Sequence, residues 1–433
     1  MFRNLAVGVI GCIQMVGAQP AEVTPLPAIP YIVRAFDRYP LVAVSEMHGS
    51  RETMALLAAV IRHPEFAGKV TDIVVEFGNA RYQSLMDRYI AGENVGDSDL
   101  RQAWENTTQI SGVWSSPIYR AFFADVRAFN ATVPAAKCVR VLLGDPPIDW
   151  SVVTSPADED MNDWRDAHFA WVVEQQVIKK GHKALLFIGG AHISRKVILP
   201  NSLIHLLDRR LPQQTLVVST VDLTRVSQYV ASRIRTWPVP SVAEVRDTWL
   251  GSADVRDIGF GLSRGRVQDD VDTVLYLTAN AFSNVPASID PQSAFGIELR
   301  RRQKLAEDTL PFRGGKIRFS ESSSRFATDS EAPLKMILAE LERDGGLNLL
   351  IKAYADSTEP QARELSEARA AFVRSWLVSN GVSSERLTPQ ACGASRPAWN
   401  SDTDEHRAAN RRAELVRMTK WTGCQPPESF DWQ

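Results

Sequence analysis

The stretch PLVAVSEMHGSRETMALLAAVIRH, Pro40 to His63, decides how the first half of the chain is read. Leu41 to Val44 is an unbroken aliphatic run, as expected of a strand buried on both faces. Behind it, Met54, Leu57 and Ile61 recur at helical spacing, which predicts an amphipathic helix starting near Arg51. A strand that runs directly into a helix is the repeating unit of a parallel α/β sheet, and the pattern returns along the chain. The runs TDIVVEF, VRVLLGD, ALLFIGG, TLVVSTVD and TVLYLT alternate with helical segments, among them RDAHFAWVVEQQVIKKG, which Gly181 ends. Residues 40–285 are therefore expected to form an α/β domain: a mostly parallel sheet flanked by helices.

Between that first strand and its helix lies SEMHGSRE, with Glu46 and His48 at the strand's carboxyl end and Glu52 in the first helical turn, where it complements the helix dipole. Other strands end on Glu76, Asp145 and His192. Parallel strands present their carboxyl ends on one side of an open sheet, so Glu46, His48, Glu76 and His192 are candidate catalytic residues, with Asp145 in support. Singly, each has a plainer reading, as a helix cap or a hydrogen-bonded structural histidine.

Two chemistries suit this set. In one, His48 is a general base held by a glutamate, and His192 polarises the substrate or protonates the leaving group. In the other, Glu46, His48 and His192 bind a divalent metal that activates water. The Glu-x-His spacing is not the helical HExxH pattern, and the residues leave both chemistries open.

The motifs SEMHGSRE, VVEFGN, LLGDPP, RDAHFAWVV and FIGGAHIS, spread from Pro40 to Thr278, resemble the erythromycin esterase, ChaN and Tiki superfamily. By position, that resemblance puts the functional residues on Glu46, His48, Glu76 and His192, and the late strand DTVLYLT with Asp272 is similar to that of esterase-like members. It implies either a hydrolase, esterase-like or a Tiki-like protease, acting on a small-molecule or peptide substrate, or a ChaN-like carrier of iron or haem. Ser45 stands where the family usually has Gly. The single residue between Glu and His follows the ChaN branch, while GSRE is closer to the esterases.

From about Gly315 the pattern becomes β-α-β-α-β-α-β. EAPLKMILAELERDGG is a helix with Leu334, Ile337, Leu338 and Leu341 on one face; ELSEARAAFVRSWLVSNG is another, with Leu365, Ala368, Phe372 and Trp376 expected inward and Gly381 as its stop. The ordered motifs IRFSESSSRF, IKAYADSTE, ELSEARAAFVRSWLVSNGVSSERL, ACGASRP and AANRRAEL, between Lys316 and Thr419, resemble the OmpA-like peptidoglycan-binding family. The resemblance implies non-covalent capture of the diaminopimelate stem peptide. Asp356 would meet its ammonium and Arg369 its carboxylate, in the bidentate geometry that lysine cannot copy. Asn410 and Arg411, in the NRR motif, would order the surrounding loop. Ala355 replaces the usual Thr, and Glu359 stands where a Gly often follows the Asp.

Residues 1–18 read as a signal peptide: Arg3 is the basic start, Leu5 to Val16 the apolar run and Val16-Gly17-Ala18 the cleavage site. Acylation at Cys12 is the weaker alternative. Residues 19–39 are a Pro-rich linker, 286–314 a helical connector whose Arg300 to Arg302 read as a solvated face, 315–420 the C-terminal domain and 421–433 a tail. A net charge of -2 gives no electrostatic case for nucleic acid, and no later apolar run approaches the roughly 18 residues of a transmembrane span. Cys392 and Cys424 can pair in an oxidising compartment or stay as thiols. The expected location is the periplasm, in association with peptidoglycan and the outer membrane.

Overall fold

The computed structural model describes residues 20–153, 165–196, 202–259, 265–313, 316–395, 397–398, 401, 403–418 and 424. The expected leader, with Cys12, and nearly all of the tail lie outside the described residues.

The N-terminal unit contains eight strands: β1 (Leu26–Pro27), β2 (Leu41–Glu46), β3 (Asp72–Asn79), β4 (Arg140–Asp145), β5 (Ala184–Gly189), β6 (Thr215–Thr220), β7 (Ser241–Glu244) and β8 (Thr273–Tyr276). Their order across the sheet is β1-β7-β8-β6-β2-β5-β3-β4. The six strands from β8 to β4 are parallel; β7 runs antiparallel to β8, and β1 to β7. Side chains alternate between faces along each strand, and both faces are covered. Val42, Val44, Val75, Phe77 and Phe187 enter one core, while Leu41, Ala43, Val74, Leu186 and Ile188 enter the other. That double burial is why the strands read as unbroken apolar runs.

The direction in which strands are added across the sheet reverses between β2 and β5, which are themselves parallel. Strands β3 and β4 lie on one side of β2, β5 returns to fill the gap beside it, and β6 and β8 continue on the other side. Such a switch point opens a crevice at the strands' carboxyl ends. Glu46 and Gly189, the last residues of β2 and β5, pair across it.

Several expectations need correction. The segment 19–39 is not simply a linker, because β1 and the helix Ala28–Ala35 belong to the sheet and core, with Ile32, Val33 and Phe36 buried. The antiparallel β1 and β7 at one edge leave the sheet mostly parallel, as expected. The segment ended by Gly181 is not a uniform α-helix: it is α over Arg165–Val172, π over Val173–Val177 and 3-10 over Ile178–Lys180, with Gly181 left-handed at φ 69°. In the connector helix Ala294–Arg313, Arg302 is buried and donates to Glu105 O, Asn106 Oδ1 and Glu298, and Arg301 holds the carbonyls of Trp150 and Val153. Arg300 is exposed as expected, whereas Arg302 and the partly exposed Arg301 staple the connector.

The C-terminal unit has the expected β-α-β-α-β-α-β order. Its strands β9 (Lys316–Arg318), β10 (Leu349–Ala353), β11 (Leu387–Ala391) and β12 (Arg412–Arg417) form a sheet in the order β11-β10-β12-β9. Helix Glu331–Arg343 buries Leu334, Ile337 and Leu341 as its period implies. Helix Ala362–Ser379 is rotated from expectation: Ser366, Arg369, Ala370, Val373 and Leu377 are buried, whereas Phe372 is 38% exposed and Trp376 is half-buried. Phe372 and Trp376 instead gather around Phe326 at the edge of the unit. Burying Arg369 sets this rotation. Cys392 and Cys424 form a disulfide. No helix among the described residues is long and apolar enough to cross a membrane.

Candidate functional site

Glu46 closes β2 with its carboxylate fully buried. Nδ1 of His48 hydrogen-bonds its Oε2, and the Tyr119 hydroxyl donates to its Oε1 at 2.9 Å. The same hydroxyl accepts the Gly49 amide at 2.9 Å, which pins the turn. Gly49 is left-handed at φ 78°, and a Cβ there would lie 2.1 Å from Asn284 Oδ1, so the turn requires glycine. Ser50 then caps helix Arg51–Ile61, with Glu52 in its first turn.

Glu76, near the end of β3, accepts from Arg165 Nη2 at 3.0 Å and from the Gly189 amide at 2.7 Å, with His192 Nε2 3.4 Å away. His192 turns Nδ1 to Asp166, 2.9 Å away, and the Leu203 amide fixes that carboxylate at 2.6 Å. Gly189 is the meeting point. A Cβ there would sit 2.8 Å from Glu76 Oε2, 3.2 Å from His48 Cε1 and 3.6 Å from His192 Cδ2. Three candidates from three strands therefore close on one position, with Glu46 bound to His48 behind them.

Asp145 does not reach that position. It ends β4 wholly buried, accepting from the Thr108 amide and hydroxyl and from Arg165 Nε at 2.9 Å. Its task is to aim Arg165 at Glu76. Arg165, Asp166, Tyr119 and Trp114 were not picked out as site residues by the sequence reading. For the first two a signal existed: a charged pair opening an otherwise apolar helix just downstream of a site strand. Tyr119 and Trp114 left none, since aromatic residues in a helical segment read as core.

The two histidines have different electrostatics. Burial disfavours the His48 cation, but the bond to Glu46 and its charge outweigh this and raise the pKa; burial raises that of Glu46. His48 keeps a 38% exposed side chain, and among the described residues its Nε2 has no hydrogen-bond partner. An imidazole held at Nδ1 by a buried carboxylate, with Nε2 open, is the arrangement of a general base. His192 is also buried, yet Asp166 and Glu76 outweigh burial and push its pKa up to about 10. It is an imidazolium at neutral pH. Burial would raise the pKa of Glu76, but His192 and Arg165 hold it well below the usual carboxylate range. His168, in the same layer, is structural: burial lowers its pKa to about 4 and Nδ1 bonds the Gly144 carbonyl.

A divalent metal does not fit this donor set. Both oxygens of Glu46 and of Glu76 are engaged, and Arg165 and His192 already bring positive charge to Glu76. Among the described residues no three His, Cys, Asp or Glu side chains are grouped to hold a metal ion. A cavity of about 530 Å³, lined by Tyr31, Arg34, Arg38 and Thr273, opens beside β1, β7 and β8 and includes none of the candidate catalytic residues.

In the C-terminal unit, Asp356 follows β10 and is fully buried. Its Oδ1 accepts from the Thr358 amide and hydroxyl, and its Oδ2 from Ser401 Oγ and Asn410 Nδ2, both at 2.7 Å. Burial works against the carboxylate, but these bonds outweigh it and lower its pKa. Arg369 is also fully buried. Its fork meets Glu359 at 2.7 and 2.8 Å, and its remaining donors reach the carbonyls of Ser320, Ser323 and Tyr354. Asp356 and Arg369 thus share one cluster but do not pair with each other. Arg411 lies at the edge, its Nε directed at the Phe319 carbonyl at 3.4 Å. Glu359, noted in the sequence only as a departure, holds the centre.

Residues 318–411 match the OmpA family. The chain is similar to outer membrane porin F of Pseudomonas fluorescens, 31% identical over 100 residues, which are 23% of this chain and 31% of that protein. It is similar to the peptidoglycan-associated lipoprotein of Brucella melitensis, 31% identical over 105 residues, 24% of this chain and 62% of that one. It is also similar to the peptidoglycan-binding protein ArfA of Mycobacterium bovis, 29% identical over 105 residues, 24% of this chain and 32% of that one. The chain spans about a third of the length of porin F and of ArfA.

Proposed function

The C-terminal unit is an OmpA-like domain, and on that premise we propose that the chain is an exported envelope protein held non-covalently on peptidoglycan in the periplasm. The observation that carries this reading is the OmpA match over 318–411 together with the convergence of Asp356, Arg369 and Asn410 within it. Two similar proteins are named for association with or binding to peptidoglycan. The diaminopimelate stem peptide is the proposed ligand, with residues 1–18 as the export signal. Sedimentation with purified sacculi tests it: wild type should pellet and Asp356→Ala should stay in solution. Equal retention sinks the reading.

For the α/β unit, the Glu46–His48 dyad supports a metal-free ester or amide hydrolase of the erythromycin esterase-like kind. His48 Nε2 takes a proton from water, and the hydroxide attacks the substrate carbonyl. Polarising the carbonyl is the role proposed for His192, the cation between Asp166 and Glu76, while Arg165 holds Glu76 in place. Collapse breaks the bond to the leaving group, which receives the proton from His48. Screening ester and amide panels against wild type and His48→Ala tests this. Equal rates for the two proteins overturn it. Co-purifying haem or iron without hydrolysis would replace it with the carrier reading; neither would leave the anchor alone.

A further inference from the structure

Glu359 occupies a receptor for a carboxylate. Four donors converge on it: both arms of the Arg369 fork at 2.7 and 2.8 Å, the Ser322 amide on Oε1 at 2.8 Å and the Asp356 amide on Oε2 at 2.9 Å. A bidentate guanidinium plus two backbone amides is how proteins bind a free carboxylate. The fork is fixed from behind, with Phe319 stacked 5.2 Å from the guanidinium carbon and the carbonyls of Ser320, Ser323 and Tyr354 holding its other hydrogens. Glu359 arrives on a surface turn. Ser357, Thr358, Pro360 and Gln361 around it are exposed, and only the glutamate dips inside. Gln361 is left-handed at φ 51°, a conformation costly for a residue with a Cβ. Seating the carboxylate offsets that cost.

We propose that Glu359 is the specificity determinant of the C-terminal site: a tethered carboxylate that fills the Arg369 cradle and removes it from ligand recognition. This rests on the anchoring reading above. Tethering gives Glu359 a high effective concentration at the fork, and the Ser322 and Asp356 amides already fit its two oxygens, so a ligand carboxylate from solution does not displace it. With Arg369 neutralised by Glu359, Asp356 supplies the net charge of the three groups, which favours a ligand bearing an ammonium and indifferent to its neighbouring carboxylate. The ligand class is thus a stem peptide whose diaminopimelate carboxylate contributes nothing and can equally be an amide.

The experiment uses the full chain and two probes: a stem peptide ending in diaminopimelate with its free carboxylate, and the same peptide amidated there. Calorimetry on the wild type should give affinities within about threefold of each other. Glu359→Gln keeps the shape but drops the charge, and should shift the ratio of affinities about tenfold toward the free-acid peptide, the amidated peptide binding no more tightly than to wild type. A wild-type preference for the free acid of about tenfold or more overturns the proposal, as does a folded Glu359→Gln that binds both peptides like wild type. Should the variant fail to fold, the wild-type ratio decides alone. Failure of the anchoring reading looks different: wild type and Asp356→Ala would pellet equally with sacculi and neither peptide would bind, which overturns both.

Discussion

Both units place a buried arginine among carboxylates, but they leave different atoms free. In the α/β unit Arg165 spans Asp145 and Glu76, Asp166 and Glu76 flank His192, and all of this supports one partly exposed imidazole, that of His48. In the OmpA-like unit Arg369 and Glu359 satisfy one another, and Asp356 is filled by Thr358, Ser401 and Asn410. A buried network sets geometry; chemistry needs an atom the network has not already satisfied. The first arrangement suits catalysis, the second recognition by shape and net charge.

The largest expected effect that would break this contrast is on catalysis. On the proposed hydrolase reading, His48→Ala should lower hydrolysis by about 10²–10⁴-fold, the range of a lost general base, while the stranding of Glu46 Oε2 costs no more than about 1–3 kcal/mol of stability. A large stability loss instead would mean that His48 is structural. Next comes Arg165→Met, which leaves Glu76 and Asp145 buried without their cation and should cost about 3–5 kcal/mol in denaturant unfolding of the N-terminal unit. An effect below about 1 kcal/mol, the range of an exposed pair, would show that the two carboxylates do not depend on it.

The units should also diverge with pH. His192 is raised from its ordinary value to about 10, so its contribution to stability is complete below pH ~6.5 and declines as pH rises toward 10, where only the unfolded state has released the proton. Glu359 is shifted the other way. Burial raises its pKa, but Arg369 and the backbone amides outweigh burial and lower it. Its contribution is complete above the unfolded pKa, near 4.3, and is lost as pH falls. Melting curves should show both transitions weakening at acidic pH, because Glu76 as well as Glu359 is held below its unfolded value, but only the N-terminal one weakening between about pH 6.5 and 10; an N-terminal transition unchanged over that alkaline range would refute the assignment. Smallest is Tyr119→Phe, which strands Glu46 Oε1 and the Gly49 amide and should cost about 1–3 kcal/mol. A larger drop in hydrolysis than in stability would sharpen the role of Glu46 in orienting His48.

Much of this was written in local pattern. Strands buried on both faces must be apolar at every position, so β2, β3, β4, β5 and β6 stood out as runs. The four ionisable strand ends followed from the rule that parallel strands share a carboxyl edge. The helical periods of the C-terminal unit and its ordered motifs set its element order. Periodicity alone, however, put Phe372 and Trp376 inside and said nothing of a buried guanidinium at Arg369. Nor could it bring β1 and the helix Ala28–Ala35 into the sheet, because their partner β7 lies more than 200 residues away.

Ordered motifs were enough for the OmpA-like unit, and residue type and spacing along the chain were enough for the α/β class and for naming Glu46, His48, Glu76 and His192 as candidates. Three-dimensional packing decided their division of labour. His48 is open because its Nδ1 alone is held, and His192 is a cation because carboxylates from two distant segments face both its nitrogens. It likewise turned Glu359 from a mismatch into the partner of Arg369. The physical reason is the same in each case: a side chain's charge and reach depend on which groups are brought within hydrogen-bonding distance away from water, and that is a property of the folded chain.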